Sequence, residues 1–319
     1  MTAAATDNTT PFSLDSTYFV AFEMAHEALR RGLAAASRLN ATQYRVLTKL
    51  LQATKPLRQS DLGAVLNMKA NVITQAVDTL EREGLATRTT GDTDGRTRYV
   101  QVTEAGRNHV AAANVSLVES LYANFPTENP TYRTILEAAV AAGAEIEPPL
   151  DTARAQKFPA SRALVSVELI RQETERVLKE ATGASFNECR IVQRLAETDR
   201  PERVGALAEA LMMSPVNAAR ATERLVQRGW AQRLKSPHDK KAVYVALTDE
   251  GVYEAQVIGT TVNELAQNKL WANLTPDQRQ AIEKVGHVVV ADLNARKQAK
   301  EQADLAALIP APATADKLN

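Results

Sequence analysis

The chain has 319 residues, 45% of them hydrophobic and 24% charged, which is the composition of a globular protein of about two domains. Its 38 basic and 38 acidic residues give a net charge of zero, so affinity for a polyanion would have to come from local charge. The single cysteine excludes an intramolecular disulfide framework, and the scarcity of cysteine and histidine argues against a structural zinc site. No run of about 18 apolar residues is present, so we expect no membrane-spanning helix.

The N-terminal segment and the cysteine usage bear on localisation. Residues 1–11 are small and polar, without the basic start and apolar stretch of a secretory signal. A lone thiol, Cys189, fits a reducing compartment. We therefore predict a cytoplasmic protein, and we expect neither a cofactor nor a metal ion.

The predicted elements of the first half follow the order of four helices, a hairpin and two helices. Apolar residues at helical spacing predict the first helix over residues 18–33. The remaining helices are predicted at 42–51, 60–66, 70–82, 104–124 and 131–142. Alternating β-branched residues predict strands at 85–89 and 97–102, and the glycine-bounded segment 91–95 between them predicts a hairpin loop.

The second half repeats the first at a constant spacing. Residues 43–47 align with 188–192, an offset of 145 residues, and the same register extends to Gly106 and Gly251. A register kept through two helices, a hairpin and a helix start indicates two copies of a whole domain. In the second copy, helices are predicted at 161–179, 186–196, 204–212, 215–227, 249–270 and 276–295, with a hairpin at 230–247.

The repeat predicts the domain organisation and the fold class. The predicted segments are a flexible N-terminus (1–12), a first unit (13–145), a linker (146–158), a second unit (159–297) and a flexible C-terminal tail (298–319). The predicted fold is mainly α with small β-hairpin wings, in two winged helix-turn-helix units with long flanking helices. Because one unit alone would expose apolar residues such as Phe19 and Phe22, we expect the units to pack together as an intrachain pseudo-dimer in a monomeric protein.

The hairpin sequences resemble those of a known family. Residues 94–106 and 239–251 are similar to the wing signature of the MarR family, which reads Asp-x-Arg, a short strand and then Leu-Thr-x-x-Gly. Residues 71–85 resemble the recognition helix of that family, and the long flanking helices resemble its dimerisation helices. The resemblance covers residues 15–297 approximately and implies a winged helix-turn-helix transcriptional regulator. Family members assemble as homodimers of one unit, so this chain resembles a dimer made covalent.

The two copies differ at positions that the resemblance assigns to DNA. The second wing carries Lys241 where the family usually has arginine. The usual arginine of the recognition helix is Gln75 in the first unit and Arg220 in the second. Strict equivalence of two DNA half-sites is therefore not expected.

The resemblance also implies which residues contact DNA. The recognition-helix candidates for base contacts are Lys69, Asn71, Thr74 and Gln75, and then Ser214, Val216, Asn217 and Arg220. The wing candidates for the minor groove are Arg96, Arg98, Lys240 and Lys241, with Asp94 and Asp239 as the residues that orient them. Arg88 and Arg233, on the first strand of each hairpin, are candidates for phosphate contacts. The alternative is that these are ordinary solvated helix faces and charged turns.

Three functions are compatible with the pattern to different degrees. The favoured one is a sequence-specific regulator whose partner is a double-stranded DNA operator, with recognition helices in the major groove and wings in the minor groove. It is either a repressor or an activator, and we favour a repressor. The alternative is an architectural or scaffold protein that uses paired winged helices for protein contacts or nonspecific DNA binding. An enzyme is not expected, since no phosphate-binding glycine loop, metal cluster or nucleophile–base pattern is visible.

The sequence allows two interpretations at each of two further sites. Phe22 and His26 share a helix face that could line a pocket for a small aromatic or phenolic effector, or could belong to the core, which we favour for the phenylalanine. Cys189 stands at the repeat position of Tyr44, and we interpret it as a small core residue rather than a redox sensor.

Overall fold

The computed structural model describes residues 14–90, 98–147, 150, 157–235 and 243–307. The helices of the first unit are α1 (Ser16–Ala36), α2 (Ala41–Gln52), α3 (Gln59–Leu66), α4 (Ala70–Arg82), α5 (Glu104–Asn124) and α6 (Pro130–Ala144). The helices of the second unit are α7 (Pro159–Thr182), α8 (Phe186–Thr198), α9 (Val204–Ala210), α10 (Pro215–Gln227), α11 (Asp249–Leu265), a π-helix (Ala266–Leu270) and α12 (Pro276–Ala307).

Each unit also contains a small antiparallel sheet. The strands are β1 (Leu57–Arg58), β2 (Ala86–Thr90) and β3 (Arg98–Val102), and then β4 (Glu202–Arg203), β5 (Ala231–Lys235) and β6 (Val243–Leu247). The strand orders are β1-β3-β2 and β4-β6-β5. The predicted fold class, mainly α with hairpin wings, is thus confirmed. The strands β1 and β4 were not predicted, because two residues are too few to show an alternating pattern.

Local capping interactions explain why the same elements begin at the same repeat positions. Asn40 and Ser185 are N-caps of α2 and α8, and each forms a capping box with the residue three positions later, Gln43 or Glu188. The helices that follow the wings, α5 and α11, are both capped by a threonine hydroxyl. The physical signals that start these helices are therefore repeated along with the sequence.

The glycine that follows each wing is required by a close backbone approach. A Cβ atom at Gly106 would lie 2.2 Å from the carbonyl oxygen of Leu85, and one at Gly251 would lie 1.9 Å from that of Trp230. The first turn of α5 or α11 therefore packs directly on the backbone that enters the hairpin. This contact fixes the wing relative to the long helix behind it.

The two units pack against each other through their long helices, and the contacts are reciprocal. Helix α12 packs on α1 as α6 packs on α7, and α6 also packs on α12. Phe19 lies in the core of the second unit, and Leu164, its counterpart at an offset of 145, lies in the core of the first. The ring of Phe19 contacts that of Phe186 edge to face at 5.6 Å. The apolar face of α1 is thus covered within the chain, by reciprocal contacts between the two units.

Three details differ from the sequence-based expectations. Helix α12 ends at Ala307 rather than 295, so residues 298–307 of the predicted tail are helical, because helix-forming residues continue without glycine or proline up to Pro310. Between the pairs Gly106/Gly251 and Pro130/Pro276 the repeat offset grows from 145 to 146, and a π-helix absorbs this extra residue. Val65, predicted to point inward, is 45% exposed.

Candidate nucleic-acid interface

A tight turn positions the recognition helix of each unit, α4 or α10, across the preceding short helix. The turn contains a left-handed residue in both copies, Asn67 with φ of 50° and Met212 with φ of 52°. Asparagine tolerates this conformation well, whereas methionine adopts it at some cost. The same turn geometry with different residues indicates that the fold of the motif, rather than the residue type, has been retained.

The recognition helices bury one face and expose the other. Helix α4 buries Ile73, Val77 and Leu80, and α10 buries Ala218 and Leu225. The predicted base-contacting residues are all exposed, namely Lys69, Asn71, Thr74, Gln75, Ser214, Val216, Asn217 and Arg220. The structure thus brings each predicted set together on the outer face at the start of its helix, where a DNA groove could be reached.

The starts of the two recognition helices differ in capping. The hydroxyl of Ser214 accepts a hydrogen bond from the backbone N–H of Asn217 at 3.2 Å, and Pro215 occupies the first turn. Lys69, the counterpart of Ser214, is the N-cap of α4 and makes no side-chain capping bond. The Lys69 ammonium group is thus left at the exposed helix start, whereas Ser214 is engaged in capping.

The tips of the wings lie outside the described residues, and with them Asp94, Arg96, Asp239, Lys240 and Lys241. The described part of the first wing ends at the pair Thr90 and Arg98, and that of the second at Lys235 and Val243. Arg98 and Lys235 are exposed at these positions. Each hairpin therefore presents a basic side chain at the end of its described strands that is nearer the wing tip.

The two first-strand arginines, both predicted to hold phosphates, have different surroundings. The Arg88 guanidinium contacts Asp78 at 2.5 Å and Glu81 at 3.2 Å, and its side chain is 15% exposed. It also donates a hydrogen bond to the carbonyl oxygen of Thr74. Such an arginine braces β2 against α4, and this geometry disfavours the predicted phosphate contact. Within the part of the chain that the structure describes, Arg233 has one carboxylate partner, Glu223 at 2.6 Å, and is 51% exposed.

Sequence reasoning did not identify the two carboxylates that hold Arg88. Asp78 and Glu81 are three residues apart on α4, so they share a helix face, and the arginine follows seven residues after Glu81. Glu81 also accepts a hydrogen bond from the backbone N–H of Arg88 at 3.0 Å. The i, i+3 spacing of two acids before a strand arginine was the signal available in the sequence.

In the second unit, the recognition helix is tied to α8 through a buried acid. Glu188, 2% exposed, contacts Arg224 at 3.3 Å and Arg228 at 3.2 Å. Burial raises the pKa of Glu188, but hydrogen bonds from Ser185 and the two arginine charges outweigh burial and leave that pKa below its ordinary value. The carboxylate therefore stays ionised and anchors the C-terminal half of α10.

The predicted effector residues, Phe22 and His26, have different neighbours. Phe22 lines an apolar cavity of about 90 Å³ between the long helices of both units, together with Leu121, Trp271 and others. His26 contacts Glu168 of α7, with Nε2 and Oε1 3.0 Å apart, and does not line the cavity. The structure thus brings only one of the two to a space that a small molecule could occupy.

Cys189 lies in the core of the second unit, 2% exposed, as the sequence predicted. Burial raises the pKa of its thiol to about 12. Since the thiolate is the reactive form of cysteine, this thiol is poorly nucleophilic near neutral pH.

Comparison with known proteins gives a match within each of the two units. The profile of the MarR family matches residues 39–97 and again residues 186–243. The multiple antibiotic resistance protein MarR of Escherichia coli K12 is 36% identical over 64 residues, which are 20% of this chain and 44% of that protein. The transcriptional repressor MprA of the same strain is 29% identical over 93 residues, 29% of this chain and 52% of the relative. The chain thus spans about half the length of the curated relatives it matches.

Solved structures of the same family are also similar to parts of the chain. A mutant of MarR from E. coli complexed with operator DNA is 24% identical, covers 37% of this chain and 86% of its own, and has a TM-score of 0.33. Sco3205, a MarR family regulator from Streptomyces coelicolor in complex with DNA, is 24% identical and has a TM-score of 0.36. The match covers 40% of this chain and 82% of Sco3205.

The curated relatives are named as transcription regulators, in agreement with the prediction of a protein that is not an enzyme. Among the helices that the structure describes, none is long and apolar enough to cross a membrane. The family profile matches once in each unit, over the helix-turn-helix and the first strand of the wing. Each half of the chain therefore contains a winged helix-turn-helix segment that is similar to the MarR family.

Proposed function

We propose that this protein is a transcriptional regulator that binds double-stranded DNA in a sequence-specific way, with α4 and α10 in the major groove and the wings in the minor groove. The observation that carries the proposal is the pair of exposed, polar recognition-helix faces, each placed by a helix-turn on a MarR family domain. Asparagine, glutamine and arginine at these positions can form bidentate contacts with base edges. Related proteins named as repressors or complexed with DNA support the same function.

Within this function, we propose repression of transcription by a monomer. Each unit already has a partner in the same chain, because α1 and α7 are covered by long helices of the other unit. Two recognition helices in one polypeptide would then bind two half-sites with centres about one helical turn apart. A second chain is not needed to complete the DNA-binding surface.

The apolar cavity beside Phe22 supports a finer proposal, that a small aromatic or phenolic molecule modulates the protein. The cavity is lined mainly by aliphatic and aromatic side chains from both units. A ligand there would contact both halves of the pseudo-dimer and so could change their relative position. Titration of salicylate into the protein, with Phe22→Ala as the comparison, would detect binding through a shift in the thermal unfolding temperature.

The alternative function is that of an architectural or scaffold protein. The ratio of the affinities for a selected sequence and for unselected DNA distinguishes it from a sequence-specific regulator. Double-stranded DNA selected from a random pool by the full chain should converge on a defined sequence, and that sequence should bind at least about a thousandfold tighter than unselected DNA. Weak binding without convergence would favour nonspecific architectural use. Absence of any DNA binding would contradict both DNA-dependent functions.

A further inference from the structure

The two DNA-facing segments of the repeat differ in charge. Residues 55–98 of the first unit contain seven basic and six acidic residues, a net charge of +1. The corresponding residues 200–243 of the second unit contain nine basic and four acidic residues, a net charge of +5. Both segments run from the turn before the short helix to the second strand of the wing. The zero net charge of the whole chain therefore hides a difference in net charge between these two segments.

Individual repeat positions account for the difference. Glu81 corresponds to Val226, Glu83 to Arg228, and Asp61 to Ala206, all at the offset of 145. At the end of the first wing strand, the uncharged Thr90 corresponds to Lys235, which is exposed. At the first three of these positions the first unit carries a carboxylate and the second does not.

The carboxylates of the first unit also act on the basic groups that remain there. Arg88 is held by Asp78 and Glu81, so two negative charges face one guanidinium and its side chain is mostly covered. Within the described residues, its counterpart Arg233 contacts one carboxylate, that of Glu223, and both side chains of that pair are about half exposed. An exposed ion pair of this kind is worth little and can exchange its carboxylate for a phosphate. Arg88 would have to break two contacts to do the same.

We propose that the second unit supplies most of the contacts with DNA phosphates. In the first unit, the ion pairs of Arg88 with Asp78 and Glu81 prevent this arginine from binding a phosphate. This inference rests on the proposed function. The second unit docks first through Arg233 and the other basic residues of its segment. The first unit then binds by base contacts, at the high effective concentration given by the covalent link.

The test compares matched variants of the full chain on one mixed-sequence DNA duplex long enough for two half-sites. Binding is measured from about 50 to 200 mM NaCl, because each phosphate contact contributes about 0.9 to the slope of log K against log salt. We expect Arg233→Ala to weaken binding about fivefold or more and to reduce the slope by about 1. Arg88→Ala should leave the slope unchanged.

A second variant frees Arg88 without removing it. The double substitution Asp78→Asn and Glu81→Gln keeps side-chain shape and abolishes both charges, so we expect tighter binding and a slope larger by about 1. Its control is Glu27→Gln with Glu180→Gln, which removes the same charge at exposed sites on α1 and α7. Circular dichroism establishes that every variant is folded.

The outcomes separate this inference from the proposed function. Equal losses of slope for Arg88→Ala and Arg233→Ala, or no gain for the double variant beyond its control, would overturn the inference while DNA binding stands. If the wild-type chain does not bind duplex DNA at any of these salt concentrations, the proposed function itself is wrong, and the inference fails with it.

Discussion

At the scale of single residues, the structure restricts the residue type most strongly where backbone packing or charge tolerates no other side chain. Gly251 is such a residue, because a Cβ atom there would overlap the carbonyl oxygen of Trp230, whereas a Cβ atom at Gly259 on the same helix meets nothing within 4 Å. We expect Gly251→Ala to lower the free energy of unfolding by at least about 2 kcal/mol, since backbone atoms would have to shift. Gly259→Ala should raise it by about 0.5–1 kcal/mol. Urea unfolding of both variants measures this, and equal effects would contradict the packing argument.

Wing residues provide a second comparison at this scale. We expect Arg96→Ala to weaken operator binding more than Lys241→Ala, because a guanidinium is less strongly hydrated than an ammonium group and fits a narrow minor groove better. Both residues lie outside the described part of the chain, so the prediction rests on the sequence. Titrations of both variants at one salt concentration decide it, and a larger loss for Lys241→Ala would contradict it.

At the scale of elements, the sequence predicted the helices well where capping and periodicity agreed. The bounds of α4 and α10 match the prediction, because buried residues recur at helical spacing and the chain turns at Gly84 or Gly229, both with positive φ. The pairing of β1 with β3 depends on a contact 41 residues along the chain, so no local pattern reveals it. The exposed position of the candidate DNA-binding residues was predictable from the sequence. The ion pairs of Arg88 with Asp78 and Glu81 were not, because they depend on how β2 lies against α4.

The contact between α1 and α7 gives a prediction about pH. Burial raises the pKa of Glu168, but its hydrogen bond with His26 and the charges of His26, Arg30 and Arg171 outweigh burial and hold that pKa below its ordinary value. A carboxylate with a lowered folded-state pKa stabilises the fold above its unfolded pKa, and this contribution is lost as the pH falls through the folded value. We therefore expect Glu168→Gln to lower the free energy of unfolding at pH 7 by about 1–3 kcal/mol.

That difference should shrink at acid pH, as the pH falls through the lowered folded-state pKa and the wild-type carboxylate becomes protonated. Denaturant unfolding at pH 7 and at acid pH measures it, with the exposed Glu180→Gln as the control. A loss that stays constant across this range would mean that the Glu168 charge is not involved.

At the scale of the whole molecule, the repeat and the reciprocal packing lead us to expect a monomer whose two units pair with each other. The apolar faces of α1 and α7 are already covered within the chain, so a second chain is not needed to cover them. We expect sedimentation equilibrium to give a mass close to the 34.7 kDa of one chain at micromolar concentration. An obligate dimer in which each unit pairs with its copy in another chain would contradict this.

A monomer with two unlike recognition helices also predicts an asymmetric operator. A homodimer presents the same residues twice, so its sites tend to be palindromic, whereas a fused pair is free of that constraint. Gln75 and Arg220 are both exposed at the same repeat position, and glutamine matches adenine while arginine matches guanine, with about 1–3 kcal/mol of discrimination for a good bidentate pair. Arg220→Gln should therefore relax a guanine preference in one half-site only.

Footprinting with each half-site scrambled in turn tests this asymmetry. Because the covalent link raises the effective concentration of the second contact, a single defective half-site should weaken binding without abolishing it. Scrambling the half bound by the second unit should cost more, since the segment 200–243 carries the larger positive charge and sets the backbone affinity. A perfect palindrome of either half that binds as tightly as the selected site would show that the two recognition helices read the same bases.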